Sequence, residues 1–182
     1  VRLDGSDLFG VDPKYRYLPI YSVSALWRAS NEGVLKTVKW IDNLALRASY
    51  GLQGNIDKNT SPYLVGTYGT ATLLPNAQVQ TITITSAPND KLRWEKTASY
   101  NLGLDFSVLN QAINLGVDYY YRHGTDLIGY RELPLENGFA SQTVNWAEMN
   151  NSGIEVNLQT RNISTKDFSW YTNFNFAYND NK

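Results

Sequence analysis

Apolar and polar side chains alternate along most of this 182-residue chain, and this alternation restricts the possible folds more than any other feature. Between residues 97 and 108 the apolar positions are Ala98, Tyr100, Leu102, Leu104, Phe106 and Val108. Asn, Asp, Ser, Thr and Gly occupy the positions between them. A period of two residues indicates a β-strand, because successive side chains of a strand point to opposite faces. The chain is therefore predicted to be all-β, with one apolar and one polar face.

Six segments follow this pattern, at about residues 16–29, 44–53, 92–109, 112–128, 146–161 and 168–179, and residues 1–10 supply part of a seventh. Strands of soluble proteins cluster near 5 or 6 residues, whereas membrane-spanning strands run about 9 to 11 and then extend past the bilayer. Asn110-Gln111 predicts a tight hairpin turn between two of the segments. The length of these strands favours an antiparallel transmembrane β-barrel over a soluble sandwich.

The connections alternate between long and shorter ones. The long connections are residues 55–91 and 124–145, and the shorter ones include 30–43 and 162–167. Outer-membrane barrels have long extracellular loops and short periplasmic turns, so the two long connections are predicted to be extracellular. Apolar residues at helical spacing predict a short helix within 30–43, on the periplasmic side. The alternating run Thr81–Thr85 predicts one arm of a hairpin, with its partner near residues 63–70.

Aromatic residues fall into two groups near opposite strand ends. One group is Trp27, Trp40, Phe106 and Trp170, and the other is Tyr50, Trp94, Tyr119, Tyr121 and Tyr178. Two aromatic girdles at the membrane interfaces would produce this distribution. The alternative is that aromatic residues simply favour strands.

Composition excludes several functional classes. Sixteen basic and seventeen acidic side chains give a net charge of -1, which argues against nucleic-acid binding. The absence of cysteine and the single histidine, His123, exclude thiol catalysis and Cys/His zinc sites. Glu132 and Glu136 fit the carboxylate pair of a glycosidase, but glutamates are common in loops. We therefore expect no enzymatic activity, no cofactor and no metal.

Six or seven strands do not complete a barrel. Bacterial barrels have eight strands or more, and an open sheet would leave unpaired backbone groups in lipid. The chain also begins at Val1 without a recognisable signal peptide. We expect it to be part of a longer polypeptide.

Seven motifs occur in register with those of one family, so the chain resembles the C-terminal half of the barrel of SusC/RagA-type TonB-linked outer-membrane transporters of Bacteroidetes. The motifs are Arg2–Ser6, Arg16–Pro19, Leu44–Gly51, Leu92–Thr97, Tyr100–Asp105, Val117–Tyr120 with Thr125–Ile128, and Asn150–Glu155. Residues 56–91 and 129–144 match no family pattern, so the resemblance does not identify the ligand.

The resemblance implies a segment of a barrel of roughly 22 strands, integral to the cell outer membrane and plugged inside. It also implies import of an oligosaccharide or peptide, a SusD-like surface lipoprotein as lid, and opening by the TonB complex through the plug. The plug domain, the TonB box and the terminal strand are expected to lie outside these residues. The alternatives are a passive porin-like barrel and a soluble carbohydrate-binding β-sandwich.

Two sets of residues are candidates for functional contacts. Predicted to face the lumen are Arg47, Glu95, Asp105, Asp118, Arg122, Glu155 and Arg161. They either guide a polar ligand, contact the plug or form cross-strand ion pairs. Aromatic residues of the long loops are Tyr63, Tyr68, Tyr130, Phe139 and Trp146. They either stack on a ligand, pack against the lid or pack among themselves.

Overall fold

Strands account for most of the computed structural model, which describes residues 1–6, 13–58, 60–74 and 77–182. The strands are β1 (Arg2–Gly5), β2 (Tyr17–Arg28), β3 (Ile41–Asn55), β4 (Val65–Leu74), β5 (Ala77–Ser86), β6 (Glu95–Val108), β7 (Ile113–Glu132), β8 (Ser141–Ser164) and β9 (Ser169–Asn181). Two four-residue helices, α1 (Pro13–Arg16) and α2 (Gly33–Lys36), and 3-10 turns at Ala29–Asn31 and Leu135–Asn137 lie between them. No helix among the described residues is long and apolar enough to cross a membrane.

Seven of the strands form one sheet, in the order β1-β2-β3-β6-β7-β8-β9. Neighbouring strands in this order are also consecutive along the chain, except where the β4–β5 hairpin is inserted between β3 and β6. The hairpin forms a separate two-stranded antiparallel sheet. This up-and-down order is the one expected for part of an antiparallel barrel wall.

The cross-strand register keeps the two faces of the sheet chemically distinct. In the β2–β3 pair, Val23 lies opposite Tyr50 and Ala25 opposite Ala48, while Ser24 lies opposite Ser49. The β8–β9 pair repeats this arrangement. Its apolar partners are Ile154 with Tyr178, Val156 with Phe176 and Leu158 with Phe174, and its polar partners include Asn157 with Asn175. A register shifted by one residue would mix the two faces.

Strands β7 and β8 run further than the alternation predicted. The connection predicted at 124–145 is reduced to residues 133–140, because β7 continues to Glu132 and β8 already begins at Ser141. The left-handed conformation of Asp126 (φ 58°) interrupts the alternation without ending the strand. The helix predicted in 30–43 is present as the single turn α2. Of the stretch 1–10, residues 7–10 lie outside the described residues.

The residues group into two compact units. The first comprises Val1–Ile20, Gly54–Lys96 and Gly124–Glu148. Its buried apolar residues include Leu18, Ala87, Leu92 and Trp94. Leu92 is only 1% exposed, and the Trp94 indole donates a hydrogen bond from Nε1 to the Arg16 carbonyl at 3.3 Å.

The second unit comprises Tyr21–Gln53, Thr97–His123 and Met149–Lys182, and residues 109–112 form the turn that joins β6 to β7. Leu109, Asn110 and Gln111 are all left-handed, with φ of 57°, 54° and 59°. Each such residue other than glycine costs roughly 1–2 kcal/mol. Neighbouring segments hold the turn: the Leu109 amide donates to the Trp40 carbonyl at 3.0 Å and the Gln111 amide to the Asp42 carboxylate at 2.8 Å.

The burial of Leu92 leads to a stability prediction for the first unit. Leu92→Ala is expected to destabilise this unit by roughly 2–5 kcal/mol, because the substitution leaves a cavity in its core. Leu64→Ala, at a position that is 52% exposed, is the matched control and should change stability by less than about 0.5 kcal/mol. Hydrogen exchange of the full-length protein measures both. Equal effects of the two substitutions would contradict the assignment of this core.

Candidate functional site

Three charged side chains from three strands meet on the polar face of the second unit. Arg47 of β3 donates to both oxygens of Asp105 of β6, from Nε at 2.8 Å and from Nη2 at 3.0 Å. Its Nη2 also lies 3.0 Å from Asp118 of β7. All three side chains are roughly 40% exposed, so this ion triad adds little to stability. Its formal charge is -1, with one cation set against two carboxylates.

Gly103 allows the triad to form. A Cβ atom at this position of β6 would lie 2.8 Å from Cζ of Arg47 and 2.7 Å from Oδ1 of Asp118. The missing side chain therefore leaves the space in which the guanidinium crosses β6 and lies flat against the sheet.

The other four predicted lumen residues do not join the triad. Arg122 lies over the ring of Tyr120, with Cζ 5.4 Å from the ring centroid. Arg161 donates from Nη2 to the Asn110 carbonyl at 2.9 Å and so caps the β6–β7 turn. Glu155 is exposed on β8, opposite Ala177. Glu95 belongs to the first unit, where it accepts hydrogen bonds from Asn55 Nδ2 at 2.7 Å and the Ile128 amide at 2.9 Å.

A row of tyrosines crosses the apolar face of the second unit. The ring centroids are 5.9 Å apart for Tyr21 and Tyr50, 4.9 Å for Tyr50 and Tyr100, and 6.1 Å for Tyr100 and Tyr121. At the end of the row His123 stacks on Tyr121 at 6.4 Å. Asn150 Oδ1 lies 2.8 Å from the Tyr121 hydroxyl, which donates to it, and 2.6 Å from His123 Nδ1.

The composition of the tyrosine row suits an interfacial girdle. Aromatic rings with a polar tip prefer the boundary between hydrocarbon and water. From Tyr100 to Val108, β6 has an apolar stripe of eight residue steps, or about 27 Å along the strand, which suits a tilted membrane-spanning strand. Trp94, which the sequence placed with these residues, lies instead in the core of the first unit because its indole packs beside Gly54.

The five candidate aromatic residues belong to the first unit. Tyr63 precedes β4 and Tyr68 lies on it, 87% exposed. Tyr130, predicted in a loop, lies on β7. Trp146, grouped with the loop aromatic residues although a strand was predicted from residue 146, lies on β8. The Trp146 indole lies against Gly129, where a Cβ atom would be 2.8 Å from its Nε1. Phe139 is half-buried in the 133–140 connection.

A hydrogen-bonded cluster lies within the first unit, where three segments of the chain meet. Arg93 Nη2 donates to Asp126 Oδ1 at 2.6 Å, and Lys96 Nζ lies 3.1 Å from Asp126 Oδ2. The hydrogen bond from Arg93, with a smaller contribution from Lys96, holds the pKa of the Asp126 carboxyl below its ordinary value despite its burial. The side chain of Asn145, on β8, forms hydrogen bonds with backbone groups of both Arg93 and Asp126.

Sequence reasoning missed Gly103, Asn145 and the role of Asp126. Gly103 interrupts an otherwise regular strand, which is the one signal that marks close approach of another group. Asn145 carries no signal, because an asparagine between a loop and a strand is common. Asp126 stood in a family-like motif, but its left-handed backbone is visible only in the structure.

The two faces of the sheet should differ in how well they tolerate a charged substitution. If the apolar face contacts lipid, Ala25→Arg should destabilise the folded protein by about 2–4 kcal/mol, the cost of an arginine near the bilayer midplane. Ser24→Arg, one residue away on the polar face, should change stability by less than about 1 kcal/mol. Chemical unfolding of the full-length protein in lipid vesicles measures both. Equal tolerance of the two substitutions would contradict the assignment of faces.

Comparison with known proteins identifies the family. The chain matches the family model described as TonB dependent receptor-like, beta-barrel, over residues 1–182. It is 36% identical over 183 residues to TonB-dependent receptor P3 of Formosa agariphila, covering all of this chain and 18% of that protein. It is 32% identical over 191 residues to TonB-dependent receptor SusC of Bacteroides thetaiotaomicron, again covering all of this chain and 18% of the relative. The chain thus spans about a fifth of the length of these relatives.

Solved structures agree with this relationship. The RagAB peptide importer in its closed-closed state has a TM-score of 0.78 and 29% identity, with 97% of this chain and 19% of that chain covered. The open-open state of the same importer has a TM-score of 0.76 and 30% identity, with 91% and 18% covered. The family match over the whole length, together with the two-faced antiparallel sheet, shows that this chain is a barrel segment belonging to the TonB-dependent receptor-like β-barrel family.

Proposed function

We propose that this segment forms part of the wall of a TonB-dependent importer in the outer membrane. In this proposal the apolar face contacts lipid and the polar face lines the interior of the barrel. The segment breaks no bond in a substrate. Its contribution is mechanical and electrostatic, as a rigid wall that carries polar groups inside and loops outside.

The observation that carries this proposal is the segregation of the two faces of the second unit. Tyr50 and Ala48 share one face of β3 with their apolar partners on β2, while Arg47 projects from the opposite face toward Asp105 and Asp118. A half-exposed ion triad facing hydrocarbon would be costly, whereas a water-filled or plug-filled interior accommodates it. Lipid on the other face accounts for the exposed side chains of Val23, Leu102 and Phe176.

The names of the relatives favour uptake of a nutrient. SusC is named as a TonB-dependent receptor and RagAB as a peptide importer. We propose an oligosaccharide or a peptide as the ligand and a SusD-like lipoprotein as the lid. The exposed aromatic residues Tyr63, Tyr68, Tyr130 and Trp146, together with Phe139, are the proposed contacts to ligand or lid. The TonB complex would act through a plug outside these residues.

Accessibility to a thiol reagent in whole cells tests the proposed topology. A cysteine introduced by Thr70→Cys on the β4–β5 hairpin should react with a membrane-impermeant maleimide on intact cells. A cysteine introduced by Asn110→Cys in the β6–β7 turn should react only after the outer membrane is permeabilised. Reaction of both, or of Asn110→Cys alone, on intact cells would contradict the orientation.

Dependence on TonB separates an importer from the passive porin-like barrel. Uptake of fluorescent oligosaccharides and peptides by cells with the full-length protein should fall at least about 10-fold when tonB is deleted, because opening requires energy from the inner membrane. Cells lacking the full-length protein provide the background. Uptake that requires the protein but persists without TonB would establish the porin-like alternative.

A further inference from the structure

The β4–β5 hairpin belongs to an unusually uncharged stretch of the chain. Residues 59–89 contain no Asp, Glu, Lys or Arg. The hairpin exposes apolar side chains, with Tyr68 87%, Ile82 64% and Ile84 47% exposed. Isolated two-stranded hairpins are marginally stable in water, so the orientation of this one depends on how its base is attached.

The descending arm of the hairpin is attached to the start of β8 by carboxamide side chains. Ala87 forms a parallel bridge with Gln142, whose Nε2 donates to the Pro88 carbonyl at 2.7 Å. Asn89 Nδ2 donates to the Thr143 carbonyl at 2.8 Å. Regular strand pairing therefore contributes one bridge here, and side chains contribute the other bonds between residues 87–89 and β8.

Asn145 makes the last and most complete of these attachments. Its Oδ1 accepts a hydrogen bond from the Arg93 amide at 2.9 Å, and its Nδ2 donates to the Arg93 carbonyl at 2.7 Å. The same Nδ2 donates to the Asp126 carbonyl at 2.7 Å. One side chain thus satisfies three backbone groups from two other segments, taking the place that a paired strand would occupy.

Asp126 explains why a side chain is needed at this position. Its left-handed backbone (φ 58°) is unfavourable for a residue other than glycine and disturbs the alternation of β7. Such a conformation persists only where its surroundings over-determine it. Here Arg93 and Lys96 hold the carboxylate while Asn145 holds the carbonyl.

We propose that Asn145 is a positioning residue that, with Asp126, fixes the base of the uncharged β4–β5 hairpin. The contacts join segments that lie 33 and 52 residues apart in sequence. This inference concerns the orientation of the hairpin itself. The proposed function enters only in the reason for fixing the hairpin, which would be to present it to a ligand or to the lid.

A spin label on the hairpin tests the role of Asn145 in the full-length protein. The label is attached through Thr70→Cys, after replacement of any other accessible cysteine. Asn145→Asp keeps the shape of the side chain but exchanges the Nδ2 donor for an oxygen that faces two carbonyl groups. We expect at least an approximately 10-fold increase in the population ratio of mobile to immobile label at about pH 7.5, because two donated hydrogen bonds are lost.

Lowering the pH distinguishes loss of a donor from general damage. The two carbonyl oxygens that face the introduced carboxyl favour its protonated form. Protonation at about pH 4 therefore restores one donor, so the label in Asn145→Asp should become immobile again. Asn145→Leu should remain mobile at both pH values. Among the described residues, the titratable groups near this position include Arg93, Glu95, Lys96 and Asp126, together with Tyr15, which interacts with Arg93. The protein without a substitution at Asn145, labelled at the same position, controls for their titration.

Asn101→Asp is the matched control for the substitution itself. Asn101 Nδ2 donates to Ser49 Oγ at 3.1 Å, on the polar face of the second unit, and its replacement should leave the label immobile. A label that stays immobile in folded Asn145→Asp and in folded Asn145→Leu would overturn the proposal. A label that is mobile in Asn145→Asp at both pH values would also overturn it. None of these results depends on ligand, lid or TonB, so failure of the proposed function would be recognised separately.

Discussion

Pairing of backbone groups within the protein is the constraint on which this structure depends. In hydrocarbon, no water is available to satisfy an unpaired N–H or C=O group, so strands can cross only as a continuously bonded sheet. Once the strands are paired, the register decides which side chains share a face. The partners Ala25 with Ala48 and Ser24 with Ser49 follow from a single register, and a shift of one residue would place serines on the apolar face. The separation of apolar and polar faces is therefore a consequence of pairing.

Where the backbone departs from regular strand pairing, side chains supply the hydrogen bonds. The left-handed turn at 109–111 is held by the Asp42 carboxylate on one side and by Arg161 on the other. The left-handed Asp126 is held by Asn145 and Arg93. Arg161, predicted to face the lumen, thus contributes to the turn. Each of these irregular positions is bonded from two sides, which stabilises the turn and the left-handed residue within the sheet.

The sequence predicted those features that depend on periodicity and failed where a single residue departs from it. The alternation in β6 and β9, the turn at Asn110-Gln111 and the hairpin arm at Thr81–Thr85 could all be recognised, because each depends on many residues. The extension of β7 to Glu132 could not, since the left-handed residue Asp126 interrupts the period. Tyr130 was consequently placed in a loop. The meeting of Arg47 with Asp105 and Asp118 depends on the space above Gly103, which no pattern of charges reveals.

In the proposed arrangement, the two faces of one sheet contact different surroundings: lipid on one side and the barrel interior on the other. Electron cryo-microscopy of the full-length receptor in lipid nanodiscs tests this arrangement. We expect the rings of Tyr21, Tyr50, Tyr100 and Tyr121 to lie at the level of the lipid headgroups, and Arg47 with its two aspartates to face the interior. A map in which protein covers the tyrosine row, or in which the ion triad faces the acyl chains, would contradict it.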